Sequence, residues 1–273
     1  MVLIIALGCT FVTLIGSVDL SVDGVVGFTA SIFSILVLNN KNINDLGLAG
    51  VALTLLGGIL CGAVSGTIYV RFRVPSFMVT YAVSAIATGF GIMSYRGKFA
   101  QIQDPFLMSI PRASFLGIPL ITWIAFCVFA IAWFIQEQTV FGRHMIAVGT
   151  NESIPRMTGI KVDRIKVIVF MWSGLCFALA GILGALRLSR GEIDVGVGQF
   201  FPAQASVVIG GTSLAGGRGG VLNTLIGALI ITVLNNGLLL MNVNMYIREG
   251  LQGFIILVAV TLSLAHNKRL IVK

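Results

Sequence analysis

Charged residues are scarce in this chain of 273 residues, where they make up 10% of the sequence against 57% that is hydrophobic. Because soluble domains carry about 25% charged residues, the composition argues against an ordinary soluble domain and predicts a membrane protein. The formal net charge is +8, but the Lys and Arg residues lie in or beside the gaps between apolar runs, with no arginine–aromatic pattern for stacking bases. We therefore expect juxtamembrane positive charge and no binding of nucleic acid.

Residues that carry catalytic or metal chemistry are also few. The four cysteines stand singly in or beside apolar runs without metal-ligand spacing, and the two histidines, His144 and His266, lie at the edges of such runs. The sequence has no G-x-x-x-x-G-K-[ST] motif for nucleotide phosphates and no H-E-x-x-H zinc motif. Ser65 lies between glycines, but no apolar run holds a histidine to activate it. No cofactor is predicted for this chain, and an integral membrane enzyme stays only a remote alternative.

Long apolar runs are what the chain has in place of these motifs. A transmembrane helix needs about 17–25 such residues, and runs of about this length or somewhat shorter occupy residues 1–16, 24–38, 46–70, 77–95, 119–135, 165–186, 221–241 and 251–265. The glycine-flanked piece 202–214 is shorter and is predicted to be a broken or half-crossing helix. We therefore predict an all-α polytopic membrane protein with one domain, residues 1–273, and about eight to nine transmembrane segments.

The basic residues predict an orientation. Placing residues 136–166 in the cytoplasm and alternating outward gives eleven Lys and Arg inside and seven outside, as the positive-inside rule favours. The inner group includes Arg71, Arg73 and the tail residues Lys268, Arg269 and Lys273. Because this alternation leaves the first residue outside, we expect either that an earlier helix is missing from the chain or that the first piece inserts unusually.

Two polar, glycine-containing breaks interrupt the apolar pattern, at residues 17–24 (SVDLSVDG) and 210–220 (GGTSLAGGRGG). Each is followed by an apolar helix, which suggests a pseudo-repeat with one broken helix in each half. Asp19 and Asp23 are costly charges near a membrane interior and are candidate functional residues. The alternative role, which does not exclude the first, is capping the N-terminus of the helix at 24–38.

Three ordered segments resemble the permease subunits of bacterial ABC importers for ribose and other monosaccharides. They are residues 18–22 (VDLSV), the stretch from GRHMIAVGTNE at 142–152 to Gly159 and Ile160, and residues 207–217 (VVIGGTSLAGG). The resemblance covers essentially the whole chain. It implies a multi-pass protein of the bacterial inner membrane that pairs with a second copy or a sister permease and accepts solute from a periplasmic binding protein. ATP would be bound by a separate cytoplasmic ATP-binding subunit.

The resemblance also assigns roles to particular residues. The cytoplasmic loop at about 136–166 would hold a coupling helix that docks on the ATPase through Gly149, Asn151, Glu152, Arg156 and Gly159. Chain-specific features are Pro155, which is expected to shorten that helix, and Asp23, which stands where the family usually has glycine.

The translocation path is expected near the breaks, because a sugar is recognised through neutral hydrogen-bonding groups and the polar residues there suit a transient, weak site. The candidate path residues are Asp19, Ser21, Thr212, Ser213 and Asn235. A small polar solute, most plausibly a monosaccharide or sugar-like molecule, is the predicted cargo. A permease for nucleosides or branched-chain amino acids is the alternative within transport.

Overall fold

The computed structural model describes residues 1–95, 97–244 and the separate positions 247, 250, 251, 253–255, 257, 258 and 261. In this part the chain is helical, and its strands have two residues each. The α-helices are α1 Val2–Leu14, α2 Val22–Leu36, α3 Gly47–Phe72, α4 Ser76–Tyr95, α5 Pro105–Ser109, α6 Leu120–Gln138, α7 Val140–Thr150, α8 Ser153–Met157, α9 Val162–Leu188, α10 Phe200–Ile209 and α11 Val221–Leu240. A 3₁₀ turn at Ile193–Val195 precedes α10. The antiparallel strand pairs are β1 Ala100–Gln101 with β4 Arg190–Gly191, and β2 Ser114–Phe115 with β3 Ile118–Pro119.

Five helices in the described residues are long and apolar enough to cross a membrane, namely α3, α4, α6, α9 and α11. Helices α1 and α2 and the segment from Ile193 to Ile209 are shorter and also apolar. The predicted all-α membrane fold with long and short segments is confirmed. The piece predicted at 202–214 is helical only to Ile209, because Gly211 then takes a left-handed turn with φ 93°. Parts of the last predicted span, 251–265, lie outside the described residues, as do Arg96, Arg248, His266, Lys268, Arg269 and Lys273.

Helix α1 forms the centre of the bundle. Each of its residues from Ile4 to Leu14 is buried, and its side chains pack against α9, α10 and α11. A helix that is apolar all round has no polar face to turn toward water and therefore belongs in the interior. Two buried hydroxyls add a polar contact, because the Thr10 and Thr224 oxygens lie 2.7 Å apart between α1 and α11.

Helices α3 and α9 approach closely along a line of small residues. A Cβ atom on Gly62 would collide with the carbonyl oxygen of Phe170, and one on Gly174 would collide with that of Gly58. Gly66 continues the line against α9. In lipid, such small residues let backbones approach and gain dispersion contacts. Gly58, Gly62, Gly66 and Gly174 therefore serve helix packing.

The helices run alternately up and down, as contacts along α1 and α9 show. The Met1 side chain lies near Gly184 late in α9, whereas Phe11 stacks on Trp172 nearer its start, with ring centroids 5.4 Å apart. We call the end of the bundle that carries α7, α8 and the start of α9 the loop end, and the opposite end the far end. The described basic residues at the loop end are Arg71, Arg73, Arg143, Arg156, Lys161, Arg164, Lys166 and Arg218. Those at the far end are Lys41, Lys98, Arg112, Arg187 and Arg190.

Two short helices begin at the middle of the bundle and point in opposite directions. The start of α2 lies beside Ser84, near the middle of α4, where the Gly24 N–H donates to the Ser84 hydroxyl over 3.1 Å. Helix α2 runs from there to the far end, where β4 packs against it. Helix α10 begins next to Asp23 and runs to the loop end, where Gly210 packs on Asn223 early in α11. We call the contact between the first turns of α2 and α10 the half-helix junction.

Candidate functional site

The segment predicted as a coupling loop folds into two helices. The Thr139 hydroxyl accepts from the Gly142 N–H over 3.2 Å and caps α7, while the Asn151 side-chain oxygen accepts from the Ser153 N–H over 3.0 Å and turns the chain into α8. Pro155 is buried in the first turn of α8, where its missing N–H costs no helical hydrogen bond. Helix α8 has five residues, and Gly159 follows it with φ 80°, which favours glycine.

An ionic cluster fixes α8 on the start of α9. Glu152 accepts from Arg156 and from Lys166, in each case over 2.7 Å, and Arg156 also bonds Asp163 over 2.5 Å. The Lys166 ammonium lies 4.9 Å from the centre of the Tyr69 ring on α3. Partial burial acts to raise the pKa of Glu152, but the hydrogen bonds and charges of Lys166 and Arg156 outweigh it and lower that pKa. Glu152 is therefore a carboxylate that joins α8 to α9 at neutral pH.

Gly149 lies where three segments of the loop end meet. A Cβ atom there would collide with the Leu14 carbonyl oxygen at the end of α1 and would crowd the backbone N–H of Gly217. The same Leu14 carbonyl accepts from the Gly217 N–H over 2.9 Å. Glycine at 149 thus permits α7 to contact the end of α1 and the second polar break, where Gly216 packs on Gly16 and on the Gly149 carbonyl oxygen.

Two exposed apolar side chains on α8 were not predicted. Ile154 is 56% exposed and Met157 is 79% exposed, although Pro155 between them is buried. Because Ile154 and Met157 are three residues apart in α8, they lie on one face and form a small apolar patch, which is a candidate interaction surface. The apolar residues of so short a segment carry no periodic signal in the sequence, so only the structure distinguishes those that face outward.

Asp19 and Ser21 form one buried unit in the first break. Asp19 accepts from the Ser21 N–H over 2.9 Å, from the Ser21 hydroxyl over 2.6 Å and from the Ser173 hydroxyl of α9 over 2.8 Å. Asp19 and Ser21 are 3% and 4% exposed, so neither reaches an open surface of this chain. These bonds turn the backbone ahead of α2 and attach it to α9.

Asp23 does not cap its own helix, contrary to the capping role considered from the sequence. Its carboxylate accepts from the Phe200 N–H over 2.8 Å and from the Gly198 N–H over 3.2 Å, and so caps α10. The Gln199 side chain at the N-cap position of α10 makes no capping bond. Close backbone contact supports this half-helix junction, because a Cβ on Gly196 would collide with the Asp23 carbonyl oxygen. Asp23 remains partly exposed.

The remaining path candidates lie apart from Asp19 and Ser21. Thr212 and Ser213 are buried in the second break, where the Thr212 hydroxyl accepts from the Gly220 N–H over 3.2 Å and the Ser213 N–H donates to the Arg218 carbonyl over 2.9 Å. Asn235 is partly buried and lies on α11, about 20 Å along the helix from its start. The structure does not gather the five candidates around one cavity. Within the described residues, no group of three His, Cys, Asp or Glu could hold a metal ion.

The fold and these breaks define a polytopic helical transport permease. Residues 1–260 match the family described as the permease component of the branched-chain amino acid transport system, and the chain belongs to this family. It is 40% identical over 262 residues to the ribose import permease protein RbsC of Haemophilus influenzae, covering 94% of this chain and 80% of that protein. It is 38% identical over 272 residues to RbsC of Escherichia coli K12, covering 97% of this chain and 82% of that protein.

A further relative is the L-arabinose ABC transporter permease protein AraH of Azospirillum brasilense, which is 33% identical over 256 residues and covers 94% of this chain and 74% of that protein. No solved structure matches the chain. With its apolar helices, these relationships identify the chain as a multi-pass inner-membrane permease of an ABC import system.

Proposed function

We propose that this permease imports a monosaccharide, driven by ATP that a separate cytoplasmic subunit binds and hydrolyses. The chain is the membrane subunit of a sugar-importing ABC transporter, and the relatives named for ribose and L-arabinose carry this conclusion. The family description, which names branched-chain amino acids, keeps those solutes as the second candidate. Individual relatives with high coverage favour the sugar.

The loop end supplies the surface for the ATPase in this proposal. Ile154 and Met157 face outward from α8, while Glu152 and Arg156 fix α8 to α9 and Gly149 joins α7 to α1. Asn151 shapes the turn between the two helices, and Gly159 ends the second one. Apolar contacts would come from Ile154 and Met157, and the ionic cluster would pass movement to α9 as a rigid unit.

The half-helix junction supplies the position of the solute path. Asp23 lies near the middle of the bundle and is partly exposed, and a carboxylate at that depth is costly against lipid. Its face is therefore covered by water or by another protein chain. We place the path here, between this chain and a second permease copy or a sister permease. Asp19 and Ser21 would stabilise the backbone behind it, and Thr212 and Ser213 would stabilise the second break at the loop end.

One comparison of two matched substitutions tests the coupling assignment. Met157 and Leu116 are each 79% exposed, Met157 at the loop end and Leu116 between β2 and β3 at the far end. With the partner ATPase and the periplasmic binding protein present, we expect Met157→Asp to reduce uptake of labelled ribose or arabinose strongly and Leu116→Asp to leave it near wild type. Equal uptake by both variants, at equal amounts in the membrane, would exclude α8 as the docking surface.

The identity of the transported solute is tested with the wild-type chain in membrane vesicles that contain the partner ATPase and the periplasmic binding protein. Excess unlabelled monosaccharide should abolish uptake of the labelled sugar, whereas leucine, isoleucine or a nucleoside should not. Uptake of labelled leucine without uptake of any sugar would replace the proposed cargo by the second candidate. Uptake without ATP would contradict the assignment as an ATP-driven importer.

A further inference from the structure

A groove at the loop end opens between α3 and α9, beyond the glycines that hold these helices together. It has a volume of about 390 Å³ and is lined by Thr67, Val70, Arg71, Asp163, Arg164, Val167 and Ile168. On α3 the lining residues follow a spacing of i, i+3, i+4, and on α9 Arg164, Val167 and Ile168 do the same, with Asp163 beside them. Each helix therefore contributes one continuous stripe. The two stripes form the walls of a channel that runs along the bundle.

The lining atoms of this groove are almost all carbon. Ile168 is 47% exposed on one wall, and on the other Thr67 is exposed and Val70 is partly exposed. Both helices are membrane spans, and the glycine contact next to the groove places it at the end of the shared transmembrane region. The surface therefore faces hydrocarbon at one end and the membrane–water interface at the other.

Two arginines stand at the interface end of the groove. Arg71 lies in the last turn of α3 and Arg164 in the first turn of α9, and both are exposed. Arginine side chains at a membrane edge lay their apolar stems along the helix and extend the guanidinium group toward water. Among the described residues, neither arginine forms an ion pair, and Asp163 beside them is bonded to Arg156 over 2.5 Å.

We propose that this groove binds an anionic phospholipid, with one acyl chain between α3 and α9 and the headgroup phosphate on Arg71 and Arg164. Guanidinium groups bind phosphate oxygens through paired, charge-assisted hydrogen bonds. Basic pockets between transmembrane helices are known to select anionic headgroups. The inference depends on the membrane location of the chain and is independent of the transported solute. A lipid there would bridge α3 to the helix on which the proposed coupling segment rests.

The full chain, purified in detergent and stripped of lipid, is tested by native mass spectrometry with dioleoyl phosphatidylglycerol and dioleoyl phosphatidylcholine. We expect wild type to retain the anionic lipid preferentially. The double variant Arg71→Gln/Arg164→Gln should weaken that retention about 25-fold, at about fivefold per arginine, and leave the neutral lipid unaffected. The charge-matched control is Arg73→Gln/Arg143→Gln, whose two arginines are also exposed at the loop end but lie outside the groove.

Three results would overturn the proposal. They are equal retention of both lipids by wild type, an equal loss in the control variant, and displacement of the bound lipid by millimolar inorganic phosphate. The last result would mean that the arginines bind a free anion and that the apolar groove contributes nothing. If the double variant fails to fold, the single variants are compared instead, and each should lose about fivefold.

Discussion

Replacing Asp23 should loosen the first turn of α10, although Asp23 and Phe200, where that helix begins, lie 177 residues apart along the chain. The Asp23 carboxylate satisfies the Gly198 and Phe200 N–H groups over 3.2 and 2.8 Å, and both would otherwise be without a helical partner. Loss of an N-cap costs about 0.5–2 kcal/mol, which corresponds to about 2- to 30-fold faster opening of the capped turn. Asp23→Ala should show the full effect, and Asp23→Asn a smaller one because the amide oxygen still accepts.

Hydrogen–deuterium exchange of the peptide that covers residues 196–204 measures this opening. The matched control is Asp19→Asn. Asp19 lies four residues earlier, in the break ahead of α2, and its carboxylate bonds Ser21 and Ser173 instead of α10. Exchange in 196–204 should stay at the wild-type rate in that control. The reasoning is refuted if Asp23→Ala exchanges like wild type there, or if Asp19→Asn accelerates exchange as much as Asp23→Ala does.

Three further predictions concern packing, pH and the loop end. Gly62→Ala should lower the free energy of unfolding by about 1–3 kcal/mol, and with it the thermal midpoint, because the new Cβ would collide with Phe170. Gly57→Ala on the same helix should leave the free energy of unfolding unchanged or raise it by up to about 1 kcal/mol, since its Cβ would make only an ordinary van der Waals contact. Similar midpoints for both variants would contradict the close approach of α3 and α9. The lowered pKa of Glu152 adds stability that is complete above the ordinary carboxyl range and is lost as the pH falls through the lowered value. Thermal melts should therefore show wild type losing more stability than Glu152→Gln across that window, and parallel curves would count against the ionic cluster. Gly149→Ala should reduce uptake at an unchanged amount in the membrane, because α7 must move off the end of α1; unimpaired uptake would show that this contact is dispensable.

Local sequence signals predicted the helices well because each depends on a run of neighbouring residues. The span expected at 46–70 is a helix at Gly47–Phe72, and that expected at 77–95 is one at Ser76–Tyr95. The four-residue spacing of Gly58, Gly62 and Gly66 also puts three small residues on one helix face, whatever helix packs there. The spacing could not show which helix packs against that face, since several helices of the chain are long and apolar.

The roles of the polar residues were harder to predict, because the role of a polar side chain depends on the groups to which it is hydrogen-bonded. Asp19, Thr212 and Ser213 were predicted as path residues on their polarity alone, yet each bonds backbone or neighbouring side chains within its own break. The sequence placed Asp19 and Asp23 four residues apart and offered the same two roles for both. Their partners, Ser173 for one and the start of α10 for the other, are distant in sequence, so no local signal distinguishes them.

Asp23 also shows how a chain-specific charge can be retained in a membrane. An unpaired carboxylate at mid-depth would be costly, but the first turn of a half-helix offers free N–H groups and the positive end of a helix dipole. Helix α10 has only ten residues and no capping side chain of its own, so its first turn has few other partners. The first turn of α10 thus offsets the cost of a carboxylate within the membrane, and the carboxylate satisfies N–H groups that would otherwise have no hydrogen-bond acceptor. Helix α10 ends at the second polar break, whose Gly217 touches α7. A displacement at the loop end would therefore reach Asp23 through one rigid helix.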